Sequence, residues 1–167
     1  YSLSEALKRS RILQSICICL KEPNKIINTV LVRLSKGLKE LPLLKSLCLD
    51  LAYCYGISDS SLQTFSRNLK GLCNLRKIDL SFKNLQITNK GLQGVAECLR
   101  RLASLERISL DFSYCTQITD IGLNFLSKNL KNLLSLNYIN LKILANHQLT
   151  DQGLQYLGDS LKKLISL

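Results

Sequence analysis

The chain has 167 residues and a mass of 18.8 kDa, room enough for one domain with a sizeable core. Hydrophobic residues make up 46% and charged residues 21%, with 2 Pro and 8 Gly, a composition that excludes disorder and fibrous repeats. Apolar runs reach about five residues, as in Ile16–Leu20, against the roughly 18 that span a bilayer, so no transmembrane helix is expected. Twenty-three Lys+Arg against 12 Asp+Glu give a net charge of +11, which points to an acidic partner.

Self-similarity sets the meaning of the other residues. Leu13, Leu44, Leu75, Leu105, Leu136 and Leu167 recur at separations of 31, 31, 30, 31 and 31 residues. In chain order, residues 1–11 carry only helical spacing, with Leu3 and Leu7 one turn apart. Each anchor leucine then opens an alternating segment, as in Leu44-x-x-Leu47-x-Leu49-x-Leu51 and Leu105-x-x-Ile108-x-Leu110-x-Phe112. Period two predicts half-buried strands over 15–20, 46–51, 77–82, 107–112 and 138–143, with Leu47, Ile78, Ile108 and Ile139 in the core. A helix follows each strand, with apolar residues at steps of three and four, as in Leu123, Leu126, Leu130 and Leu133 or Leu154, Leu157, Leu161 and Leu164. Between strand and helix stand Ile57-Ser58-Asp59, Ile87-Thr88-Asn89, Ile118-Thr119-Asp120 and Leu149-Thr150-Asp151, whose side-chain oxygens can cap the first helical turn. The shorter third repeat lacks one residue in the loop between Leu80 and Ile87.

A strand and a helix with one apolar face each cannot bury a core alone, and stacked neighbours can. The predicted fold is an α/β, right-handed leucine-rich-repeat solenoid or horseshoe, with parallel strands inside, helices outside and a repeat of about 31 residues. It forms a single domain over 1–167, with five full repeats starting at 13, 44, 75, 105 and 136. The repeat's apolar spacing runs to both ends without polar replacement, and no Met and no signal segment opens the chain. It is therefore expected to be part of a longer array or a fixed subunit of a large assembly.

The segments Leu49-Asp50-Leu51-Ala52-Tyr53-Cys54 with Ile57-Ser58-Asp59, and Leu110-Asp111-Phe112-Ser113-Tyr114-Cys115 with Ile118-Thr119-Asp120, resemble cysteine-containing leucine-rich repeats, the class found in F-box-type substrate receptors. The helix-backed horseshoe is similar to the ribonuclease inhibitor. The resemblance implies that Cys54 and Cys115 bury their thiols against backbone groups, with Asn84 in the related place of the third repeat. By analogy alone it implies a substrate receptor of a ubiquitin ligase.

No phosphate-binding loop or zinc-protease motif occurs, and His147 is the single histidine, in a strand-to-helix loop. No catalytic residue, cofactor or metal is assigned. Seven Cys without an Asn-x-Ser/Thr acceptor read as reduced thiols of an intracellular, cytoplasmic protein, the nucleus included. Cys17, Cys19, Cys48 and Asp50 share one strand face, where parallel side chains stand side by side and do not converge on a metal, although Cys17 and Cys48 come near disulfide distance. Cys73 and Cys98 fall on helical segments and are expected to pack inside.

Two surfaces remain for binding. Outward strand positions form columns that vary while the inward leucines repeat. Lys77, Asp79, Arg107, Asp111, Tyr138, Asn140 and Lys142 are the candidate protein-binding residues, with Tyr138 and Arg107 as anchors. A basic ladder, Lys8, Lys39, Lys70, Arg100, Lys131 and Lys162, follows each helical leucine, with Arg9, Arg101 and Lys163 beside it. These cations suit the negative end of a helix, and alternatively dock RNA, a ribonucleoprotein or another acidic surface. The tyrosines show no stacking platform for bases. The leading expectation is a non-enzymatic scaffold for a protein partner, with no membrane.

Overall fold

The computed structural model describes residues 3–20 and 27–165. Alternating apolar residues place one face of each strand inward, and the strands pair through neighbouring repeats. Among the described residues the order is α1 (Leu3–Arg9), β1 (Ser15–Cys19), α2 (Ile27–Leu38), β2 (Ser46–Asp50), α3 (Asp59–Leu69), β3 (Lys77–Ser81), α4 (Asn89–Leu99), β4 (Arg107–Asp111), α5 (Asp120–Leu130), β5 (Tyr138–Lys142) and α6 (Asp151–Ile165). The five strands form one parallel sheet in sequential order, and each helix packs on the helix of the next repeat. This is the expected α/β leucine-rich-repeat solenoid. Leu167, the anchor expected to open a further strand, lies outside the described residues, as does the side chain of Lys163.

Each strand ends one residue earlier than the alternation predicts. The amide of that next residue still bonds across, with Leu51 N–H donating to Ser81 O at 2.9 Å and Phe82 N–H to Asp111 O at 2.8 Å. The core fills the space between sheet and helices: Leu47, Leu49, Ile78, Leu80, Ile108 and Leu110 from the strands meet Leu62, Leu69, Leu92, Leu99, Leu123 and Leu130 from the helices, all buried. The rings of Phe82 and Phe112 stack at 5.1 Å between centroids. Ile139 departs from its core assignment and is only half-buried, as are Leu13 and Leu136. β1 and β5 are the outer strands of the sheet, paired on one side only. In α6, Leu154 is exposed and Leu157 carries the inward contact.

The helix starts join one repeat to the next. Ser58, Thr88, Thr119 and Thr150 cap their own helices, their hydroxyls accepting from the amides of Ser61, Lys90, Ile121 and Gln152 at 3.1–3.3 Å. The Asp or Asn that follows turns to its neighbour instead. Asp59 accepts the Thr88 amide at 2.9 Å and its hydroxyl at 2.7 Å, and Asp120 does the same for Thr150 at 2.9 and 2.6 Å. Asn89 accepts the Thr119 amide at 3.0 Å and donates to its hydroxyl at 2.9 Å, and Asn28 accepts the Ser58 amide at 3.0 Å. The hydrogen bonds from Thr150 hold the Asp120 carboxyl below the usual carboxylate range. The reach requires room at the third residue of the next helix: a Cβ on Gly91 would stand 2.5 Å from Asp59 Oδ1, and one on Gly122 2.5 Å from Asn89 Oδ1.

Gly122→Ala therefore lowers the unfolding free energy by about 1–3 kcal/mol, because the methyl meets both the clasp and Leu92. Gly71→Ala, with open space around its Cβ, changes it by less than about 0.5 kcal/mol. Urea titration of the two variants checks the contrast. Ile108→Ala, at the middle of the buried sheet, costs about 2–5 kcal/mol by transfer loss and cavity formation, measured the same way.

Candidate functional site

Successive strand residues alternate sides, so the positions between the buried leucines and isoleucines form the opposite face. Register aligns them in three rows: Ser15, Ser46, Lys77, Arg107 and Tyr138; Cys17, Cys48, Asp79, Ser109 and Asn140; Cys19, Asp50, Ser81, Asp111 and Lys142. All seven candidate residues stand on this face within β3–β5. The guanidinium carbon of Arg107 lies 4.1 Å from the centroid of the Tyr138 ring, a cation–π contact that holds both side chains in one arrangement. Asn140 Nδ2 donates to Ser109 Oγ at 3.4 Å. Lys77, Asp79, Arg107, Ser109, Tyr138 and Asn140 line a shallow cleft of about 170 Å³.

Asp111 has a second duty. One of its oxygens accepts the Ser113 amide at 2.9 Å, as Asp50 accepts that of Ala52 at 3.0 Å, bracing the chain as it leaves the strand. The turns so braced contain residues in the left-handed region, Tyr53 at φ 65° and Tyr114 at φ 64°. At the β1–β2 end of the face Cys17 Sγ lies 2.7 Å from Cys48 Sγ, and Cys19 Sγ 3.9 Å from Asp50 Oδ2. Among the described residues no three His, Cys, Asp or Glu side chains gather in a metal-binding group.

Cys54 and Cys115 are buried thiols that donate to the carbonyls of Leu20 at 2.7 Å and Phe82 at 3.1 Å, each in the preceding repeat. Burial pushes the Cys115 thiol up to about 11. Asn84 does not take this place in the third repeat. It stands one residue earlier, in the left-handed position of Tyr53 and Tyr114, at φ 59°. Buried Leu85 fills the thiol's place, and the missing loop residue lies just after it. Asn146 fills it in the last repeat, donating to Phe112 O at 3.0 Å while its own Oδ1 is buried without a partner among the described residues. Cys98 lies on α4 and is buried, but Cys73 follows α3 in an exposed turn and is not a packing residue. His147 is exposed in its loop.

The structure also gathers tyrosines that the sequence leaves looking scattered. Lys83 Nζ sits 5.6 Å from the ring centroids of both Tyr53 and Tyr114, and Tyr53 meets Tyr55 edge to face at 6.5 Å. Hydrogen bonding with Tyr53 raises the Lys83 ammonium above its ordinary range. The faces of Tyr53 and Tyr114 are turned to a cation, which is not a stacking platform for bases. Tyr53 and Tyr114 hold equivalent repeat positions and Lys83 stands one residue before theirs, next to Asn84, so repeat spacing alone does not join the three.

The ladder cations stand at helix ends. Lys70, Arg100 and Lys131 occupy the C-caps of α3, α4 and α5, Lys39 follows α2, Lys8 is in the last turn of α1 and Lys162 lies within α6. Lys8 pairs with Glu5 at 2.8 Å, Lys70 with Glu97 at 3.7 Å and Lys162 with Asp159 at 3.8 Å. Lys39, Arg100 and Lys131 are exposed. Among the described residues no helix is long and apolar enough to cross a membrane.

These features define a leucine-rich-repeat domain with a polar, individual inner face. No protein-family model matches the chain, and no curated protein sequence matches it. Solved structures do share its architecture. Actin-binding site 2 of leiomodin-1 superposes with a TM-score of 0.68 at 16% identity, covering 99% of this chain and 91% of that one. A Caenorhabditis elegans tropomodulin C-terminal domain superposes with a TM-score of 0.67 at 11% identity, covering 99% and 95%. At these identities the likeness establishes the fold.

Proposed function

We propose that the chain is a non-enzymatic protein-interaction scaffold whose concave strand face takes a partner protein across β3–β5, with Arg107 and Tyr138 as anchors. The observation that carries this reading is a contrast within one sheet. The inward rows repeat as leucine and isoleucine, whereas the outward row changes from Ser46 to Lys77, Arg107 and Tyr138. Arg and Tyr are the residue types that dominate interface energetics, and their mutual stacking lowers the cost of ordering them on contact. The leiomodin-1 domain of the same fold is an actin-binding site, which makes actin the first partner to test. A substrate receptor of a ubiquitin ligase is a narrower form of the same reading. We place the protein inside the cell, in the cytoplasm, because Cys54 and Cys115 serve as buried thiol donors, a use that a reducing compartment preserves.

One observation favours a second reading. Lys39, Arg100 and Lys131 present exposed cations along the helix ends of a chain of net charge +11, an edge able to dock nucleic acid or a ribonucleoprotein.

Titration against purified actin, and against any partner recovered from a cytosolic extract, distinguishes the two. On the concave-face reading, Arg107→Ala and Tyr138→Ala each weaken binding at least about tenfold. Replacing Lys39, Arg100 and Lys131 together by Ala then leaves affinity within about twofold, with little change between low and high salt. The reverse pattern, with RNA bound and affinity falling steeply with salt, overturns it in favour of the basic edge.

A further inference from the structure

We propose that Cys17 and Cys48 form a disulfide-forming pair, a thiol-modification site on the concave face that closes by exchange with a small disulfide such as oxidised glutathione. This goes beyond the partner-binding reading and does not depend on it.

The pair is selected by geometry. Cys17 and Cys48 are register partners on the adjacent parallel strands β1 and β2, and their sulfurs are 2.7 Å apart, inside van der Waals contact. Neighbouring strands run about 4.8 Å apart, within the Cα separation that a disulfide spans. No other combination of nearby thiols joins such a separation to sulfurs that face each other. Cys19 shares the strand of Cys17 about 6.6 Å along it, with its side chain parallel to that of Cys17 and facing Asp50. From Cys48 it lies on the diagonal, roughly 8 Å away by the same spacings, past the bridgeable limit. Cys54, Cys98 and Cys115 are buried elsewhere, two of them with their thiols held by carbonyls, and Cys73 is in a turn on the helix side of β3.

Access fits the same order of events. Cys17 is exposed and Cys48 half-exposed, so a small disulfide meets Cys17 first. The Cys17 thiolate attacks one sulfur of oxidised glutathione, forming a mixed disulfide and releasing one glutathione thiolate. Cys48 loses its proton to solvent, its sulfur attacks the Cys17 sulfur, and the bond to the second glutathione breaks. Two protein thiols are oxidised by two electrons, and one glutathione disulfide is reduced to two thiols. Burial, the neighbouring Cys17 sulfur and the Asp79 and Asp50 carboxylates hold the Cys48 thiol up at about 12, so Cys17 is the thiol that attacks first. The bridge would tie β1, the outer strand with its inward residues only half-buried, to β2, whose inward residues are fully buried.

The test uses the full chain without reductant. The folded protein is incubated with oxidised glutathione, remaining thiols are blocked with N-ethylmaleimide, and non-reduced peptides are sequenced by mass spectrometry. The expected result is a Cys17–Cys48 link, two fewer alkylatable thiols per chain and a raised thermal midpoint reversed by dithiothreitol. Cys17→Ser and Cys48→Ser each abolish the link and the shift, whereas Cys19→Ser and Cys73→Ser retain both. Circular dichroism establishes that the serine variants remain folded. Glutathione left on Cys17 in the wild type, a link through Cys19, or all thiols still alkylatable would each overturn the proposal.

Discussion

In α2–α5 the first polar residue of the helix belongs structurally to the next repeat. Asp59, Asn89 and Asp120 sit where a side chain would ordinarily serve its own helix, yet each accepts the amide that opens the following one; Asp59 and Asp120 also accept its hydroxyl, and Asn89 donates to it. A repeat of this size has an apolar face that only a neighbour can cover, so stability rests on the interface between repeats more than on any repeat alone. Leucines supply attraction at that interface without fixing its register, because hydrophobic contact is non-directional. The clasp is directional. It sets the helix starts in line, and the strand register that aligns the outer rows is consistent with it.

The concave face inherits its order from that frame. Arg107 can stack on Tyr138 because β4 and β5 are held in register, and Cys17 meets Cys48 for the same reason one sheet edge away. The left-handed residues at the strand exits, braced by Asp50 and Asp111, bring Tyr53 and Tyr114 around Lys83. Both features pair exposed side chains with one another, which suits a surface that meets a partner with fewer side chains left to order. The sheet's outer strands mark where the frame weakens: Leu13, Leu136 and Ile139 hold core positions by pattern but, among the described residues, have a neighbouring strand on one side only.

Most of this fold was legible before any coordinates, because a period of 30 or 31 residues multiplies each weak local signal. The alternation at Ile108 and Leu110 is ambiguous alone and decisive when Leu47, Ile78 and their companions repeat it. What escaped was information that lives between repeats. Ser-Asp and Thr-Asn read correctly as helix starts, but the direction in which Asp59 and Asn89 reach depends on the placement of the next helix. Asn84 was displaced by one position because the deletion in its loop lies after Leu85, a choice that spacing leaves open and a buried leucine decides. Cys73 looked helical from its surroundings, whereas α3 ends at Leu69. The tyrosine–lysine cluster is hidden in the sequence because its members do not occupy equivalent positions: Lys83 precedes the left-handed site that Tyr53 and Tyr114 fill.

Native-state hydrogen exchange at the amides of Thr88, Thr119 and Thr150 tests the clasp most directly. These N–H groups sit at helix starts, where an amide has no partner within its own helix, so protection there reports the side chain of the preceding repeat. The account predicts exchange slowed at least about a hundredfold relative to an unstructured peptide, and slowed together at the three sites. Exchange at the rate of open loop amides, with the leucine core still protected, would contradict it and leave the strand ladder and hydrophobic packing to link the repeats.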